Sequence, residues 1–285
     1  SNDLDETQLM SIIDEIKQLN KEMMYYTINA IMLMQIYTGI FKSRLRKAGI
    51  AFEDFDLTAG MDELKQYDLN NHLDRLNRFY LGLDETIRQE IRHGDYNKFM
   101  LLKGIDDFQH EVKNFLDRFG HMSDTTGHFG SIPWRETPDI ILDMIITHEK
   151  RSAKEEKKVR WEDLKKIRKA TKFSHLLYER CRQFSLFREM FSSLYTYTLM
   201  LFRVYYLAVG DRLAGRGLIE SREDIYFLMD EEIRSYIAKK SRGDDFAALV
   251  KHRRRDMDLC KDAVLPEIIF GDEVPPIIQE FRNKL

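Results

Sequence analysis

The stretch MMYYTINAIMLMQIYTGIF, residues 23–41, holds no charged side chain for nineteen residues, inside a chain in which one residue in three is charged. Nineteen uncharged residues approach the length of a membrane-spanning helix. Thr27, Asn29, Gln35 and Thr38 interrupt the run, and apolar periodicity already begins at Leu9, Ile12, Ile13, Ile16 and Leu19. Periodicity that enters from a charged flank describes an amphipathic helix of a folded domain. The expectation is one long helix over 4–47, apolar on most faces at its centre, buried by several neighbours and kinked near Gly39.

A helix of that length sets the class for the rest. Five prolines and 14 glycines in 285 residues are few, and 13 methionines suit helix interiors, so the chain reads as all-α, a bundle of long helices. Leu69, Leu73, Leu76, Phe79, Leu83 and Ile87 predict a helix over 62–92, and Gly94-Asp95 a turn before a helix over 95–118 that Gly104 weakens. Thr137-Pro138 opens another helix, whose charged continuation EKRSAKEEKKVRWEDLKKIRKA reads as a solvated helix, with a protruding helical hairpin around 145–185. The helix over 173–209 carries the densest aromatic set, and Gly210, Gly215 and Gly217 are read as breaking it. Ser221 to Asp224 has a capping-box pattern, and Asp230 is read as the cap of the next helix. One helical domain over 1–285 is expected.

Most function classes find no support. A formal net charge of −3, with 45 basic and 48 acidic residues spread along the chain, supplies no field for nucleic acid or an anionic membrane. Cys181 and Cys260 form no CxxC pair and read as free thiols of a cytoplasmic protein. Glycine-rich phosphate loops and a GxSxG elbow are missing, adjacent acids point apart on their helices, and no catalytic residue, metal site or cofactor site is assigned. The site-like part is GHMSDTTGHFGSIPW, residues 120–134, with three glycines, two histidines, a proline and a tryptophan. His121, His128 and Asp124 could begin a metal site, although a seven-residue histidine spacing in a loop fits no ligand motif.

FLDRFGHMSDTTGHFGSIPWRETPDIIL, residues 115–142, resembles the Tyr-Gly-His and Trp-x-Glu-x-Pro loop of phosphoenolpyruvate-utilising phosphotransferases. LAVGDRLAGRGLIESREDIYFLMDEEI, residues 207–233, resembles a second segment of the same proteins, and the likeness runs over most of 50–276. The resemblance, to the central helical domain of proteins similar to phosphoenolpyruvate synthase and rifampin phosphotransferase, implies an acceptor-binding or linker domain. An ATP-grasp domain and a swivelling phosphohistidine domain of the same polypeptide would be its partners. ATP and Mg would serve the full-length enzyme, with no cofactor in this fragment and no nucleic acid or membrane as partner. Gly120 and His121 match the Gly-His part, and Trp134, Glu136 and Pro138 the Trp-x-Glu-x-Pro part.

The resemblance places the loop beside the acceptor, so His121, Ser123, Asp124, Trp134, Arg135 and Glu136 are the expected substrate-binding residues, for a small apolar hydroxylated acceptor. Met122 departs from the arginine common after Gly-His, which argues against copying rifampin or pyruvate as that acceptor. No Gly-Gly-x-x-x-His carrier pattern occurs. Ser1-Asn2 reads as a tag scar, and the chain stops about where a swivelling domain would begin, so an excised fragment, inactive alone, is expected. The alternative is a helical scaffold with no small-molecule site.

Overall fold

The computed structural model describes residues 4–124, 130–148, 158–166, 171–239 and 245–260. Among these the chain is all-α, with one isolated parallel bridge between Phe55 and Val159 and no strand. The helices are α1 (Glu6–Lys47), α2 (Asp62–Lys65), α3 (Leu69–Leu81), α4 (Glu85–His93), α5 (Tyr96–Leu101), α6 (Asp106–Phe119), α7 (Asp139–Thr147), α8 (Trp161–Lys166), α9 (Lys172–Gly215), α10 (Asp230–Ile237) and α11 (Phe246–Cys260). A 3₁₀ turn at Arg222–Phe227 precedes α10. The chain divides into two compact units, Ile16–Leu201 and the pair of segments Ser1–Glu15 and Phe202–Leu285. None of the described helices is long and apolar enough to cross a membrane.

In the unit of residues 16–201, α3 to α7 enclose one apolar core. Leu76, Tyr80, Phe99, Phe108, Val112, Ile141 and Ile145 are nearly inaccessible, each such side chain contributing about 1.5–3 kcal/mol by leaving water. The helix expected over 62–92 is three helices. Asp68 caps α3 by accepting from the Asn71 amide at 3.2 Å, and Gly82 ends it. Gly104 does more than weaken a helix: its φ of +80° lies in the left-handed region, and the chain breaks there into α5 and α6. Breaking a helix leaves carbonyls without partners, and buried side-chain amides fill that need. Gln109 Nε2 donates to the Phe99 and Leu102 oxygens at 2.7 and 3.0 Å, and Asn77 Nδ2 donates to the Ile145 oxygen at 2.8 Å.

A second core in this unit gathers Phe41, Leu45, Phe55, Leu164, Leu177 and Cys181. Trp161, expected on a solvated charged helix, is buried and stacks on Tyr178 with ring centroids 4.9 Å apart. The helix that opens at Pro138 ends at Thr147; residues 149–157 and 167–170, where the solvated helix and much of the expected hairpin fall, lie outside the described residues. Beyond that core, α1 and α9 run antiparallel. Asn20 Nδ2 donates to Thr198 Oγ1 at 2.5 Å, Tyr26 stacks on Phe191 at 5.4 Å, and Tyr37 stacks on Phe184 at 5.4 Å.

The other unit is held by charged groups around the 3₁₀ turn. Asp224 is buried and accepts from the Glu220 and Ser221 amides at 3.0 Å each and from Arg254. Arg253 forms a two-pronged pair with Glu232, both contacts 2.7 Å. Gly210 does not end α9, which runs on to Gly215. A Cβ at Gly210 would lie 2.3 Å from the Arg222 oxygen, so glycine serves close approach of two backbones there. Asp230 sits inside the first turn of α10 rather than capping it, accepting from Tyr206 Oη at 2.9 Å and from Arg234 at 2.6 Å.

Candidate functional site

The loop of residues 120–136 leaves the C-terminus of α6 and returns to the start of α7, and its two ends are paired to each other. Trp134 N donates to Met122 O at 2.8 Å and Arg135 N donates to Gly120 O at 2.9 Å. Those two bonds close the loop at its base. Gly120 must be small, because a Cβ there would lie 2.2 Å from the Leu116 oxygen and 3.1 Å from Arg135 Cβ.

Three of the residues expected to bind substrate hold this base together. Trp134 is buried in the α3–α7 core, and its indole Nε1 donates to Asp124 Oδ1 at 3.0 Å. Arg135 reaches back to α6, donating to the Asp117 oxygen at 3.2 Å and the Leu116 oxygen at 3.4 Å. Both carbonyls lie in the last turns of α6, where a cation is favoured, and the Leu116 oxygen also accepts from the Gly120 amide at 2.8 Å. Glu136 is exposed beyond the base, its amide donating to Pro133 O at 2.9 Å, and Ser123 is half-buried; both side chains have partners. His128, the other half of the metal reading, lies in 125–129, outside the described residues.

His121 is placed differently. Half-buried, it meets Tyr197 of α9 edge to face, with centroids 5.7 Å apart and planes at 74°. Burial pushes the imidazole pKa below its ordinary value; a bond to the Arg118 backbone opposes the shift, and the nearby Arg135 charge adds to it. The ring is therefore neutral at pH 7, with one nitrogen donating and the other carrying a lone pair. Tyr197 was one of many aromatics on its helix, and nothing in local spacing marks it: its partner is 76 positions away in sequence.

Earlier on α9, six to thirteen residues before Tyr197, the half-buried Phe184, Phe187 and Phe191 pack in series, with centroids 6.1 and 6.0 Å apart, and the half-buried Tyr37 and the exposed Tyr26 stack on the ends of that series. The clefts of this unit open elsewhere. One of about 580 Å³ between α3 and α6 is lined by His72, Arg75, Glu111, Asn114 and Arg118; another of about 730 Å³ is lined by α2, the start of α3 and Glu189. Among the described residues no cluster of three or more His, Cys, Asp or Glu side chains could hold a metal ion.

The family model described as the rifampicin phosphotransferase fourth domain matches residues 22–197, more than half of the chain. The matched span includes the whole loop, His121 and Tyr197, and it excludes the segment 207–233. No curated protein matches the chain.

Proposed function

Because the chain belongs to the rifampicin phosphotransferase fourth-domain family, we propose that it is the acceptor-binding and linker domain of an ATP-dependent, phosphohistidine-carrying phosphotransferase. In this reading an ATP-grasp domain and a swivelling phosphohistidine domain of the same polypeptide complete the reaction. ATP and Mg²⁺ are assigned to those modules.

The observation that carries the reading is the contact of His121 with Tyr197. A neutral imidazole can accept a hydrogen bond from a hydroxyl, and the half-buried rings of α1 and α9 offer an apolar bed for the rest of a molecule. A small apolar acceptor with a hydroxyl group is the ligand this combination suits. The role of His121 is to orient that hydroxyl; the phosphoryl donor is supplied from outside this chain. Asp124, Trp134 and Arg135 then serve the site indirectly, by fixing the two ends of the loop that carries His121.

Titration with a panel of small apolar hydroxylated compounds tests this through thermal stability. At a concentration a hundred times Kd, a ligand stabilises the fold by about 2.7 kcal/mol. The expected result is a saturable shift that His121→Ala and Tyr197→Leu each reduce; the same substitutions should lower turnover of the intact enzyme. No shift with any compound would favour a second reading, a helical scaffold with no small-molecule site. One observation leans that way: Trp134, Asp124 and Arg135 direct their polar atoms inward, to each other and to α6.

A further inference from the structure

The outer face of α1 is an apolar surface left uncovered among the described residues of the unit 16–201. Tyr25, Ile28, Met32 and Ile36 recur at steps of three and four residues, so they lie along one side of the helix, and each is about half exposed or more. The opposite side of α1 is already occupied, through Tyr26 and Tyr37, by α9. Exposed apolar rows of this length mark interaction surfaces.

The row is self-complementary about Met32. Ile28 and Ile36 stand four residues before and after it, and Tyr25 and Gly39 seven before and after. Gly39 has open space around it, with no atom within 4 Å of a Cβ placed there. A gap at one end therefore mirrors a large ring at the other. The charges favour one direction of pairing. Lys42, Arg44, Arg46 and Lys47 follow the row with no acid among them, whereas Glu15 and Glu22 accompany Lys17 and Lys21 before it. Parallel pairing sets two purely basic ends together; antiparallel pairing brings Glu22 of each chain level with Lys42 of the other and leaves no charge inside the contact.

We infer that α1 pairs antiparallel with α1 of a second copy of this chain, about a two-fold axis at Met32, with Tyr25 of each copy seated over Gly39 of its partner. Isologous contacts of this kind close on themselves and form dimers.

Sedimentation equilibrium of the 285-residue chain, together with oxidative cross-linking, tests the inference. The expected mass is twice the 34.0 kDa of one chain. Met32→Glu, which sets two carboxylates together on the axis, should raise the dimer dissociation constant by about a hundredfold or more. Its far-ultraviolet circular dichroism should stay unchanged, because Met32 is exposed in the monomer. Met32→Cys should cross-link to itself where the wild-type chain does not. Tyr25→Cys should not, since antiparallel pairing separates the two positions by about 21 Å along the axis. A monomer at every concentration would overturn the inference. So would a dimer indifferent to Met32→Glu, cross-linking through Tyr25→Cys, or association of the monomer with anionic phosphatidylserine vesicles in place of a second chain.

Discussion

At Pro133 and Trp134 an irregular backbone carries buried side chains, while along α1 between Met23 and Phe41 the backbone is regular and the outer side chains stand in solvent. Within that run of α1 only Ala30 and Phe41 are buried. The contrast follows from where backbone hydrogen bonds go. A helix satisfies its own amides and carbonyls and can persist as half of an uncovered pair with α9. A loop cannot, so residues 120–136 need Gly120, Arg135, Trp134 and Asp124 to find partners for polar groups the turn leaves open. That demand is met by the buried Trp134 and by the pairing of Asp124 and Arg135, which themselves stay exposed.

The comparison breaks most directly at Trp134. Trp134→Ala removes a buried ring from the α3–α7 core and leaves Asp124 without its donor, and should cost about 3–5 kcal/mol in urea unfolding. A loss below 1 kcal/mol would mean the loop base is not part of the core. Gly120→Ala comes next. Its Cβ meets the Leu116 carbonyl, so a loss of about 1–3 kcal/mol is expected, and an unchanged midpoint would show that the base can shift freely. Asp124→Ala should cost about 1 kcal/mol, measured the same way, as one indole hydrogen bond is lost at a part-buried site.

Acidification separates the two regions without mutation. His121 and His72 both have pKa values lowered by burial, with Arg135 adding to the shift at His121 and Arg118 and Arg75 at His72, and against a backbone bond in each case. Below pH 6.5 the unfolded chain binds protons that the folded chain refuses, so stability is full above that value. It should fall as pH drops from 6.5 toward the folded-state values, and His121→Gln should flatten part of that slope. A urea midpoint independent of pH between 7 and 5.5 would contradict the burial of both rings. Residues 23–41 contain no acid, base or histidine and add nothing to the slope. The smallest effect belongs to them: Ile36→Gln, unfolded at dilutions where the chain is monomeric, should change stability by about 0.5 kcal/mol or less.

Much of the architecture was legible in the sequence. The all-α class, the bounds of α1 and the start of α9 came from long apolar periodicity, and the Ser221 turn from its capping pattern, whereas the end of α9 lies at Gly215 and not before Gly210. Breaks at Gly82 and Gly104 were hidden because a continuous apolar period runs across both, and only tertiary partners such as Gln109 reveal that the chain changes direction. The charge-free run reads as a core helix buried by several neighbours, yet only Ala30 and Phe41 of it are buried. Periodicity reports which residues can be buried; whether a neighbour exists to cover them is a fact of packing. Within the loop of residues 120–136, sequence did not show which side chains hold its base together. Trp134, Arg135 and Asp124 turn out to brace the loop, and Tyr197, which meets His121, had no local signal at all.

The most direct test of the proposed acceptor site is the ligand-induced thermal shift of the wild-type chain compared with that of His121→Ala under the same hydroxylated compounds. The account predicts a saturable rise in Tm for at least one compound with the wild type, and its loss in the variant while the unliganded Tm of the two stays within a few degrees. A rise of equal size in both proteins, or none in either, would contradict it.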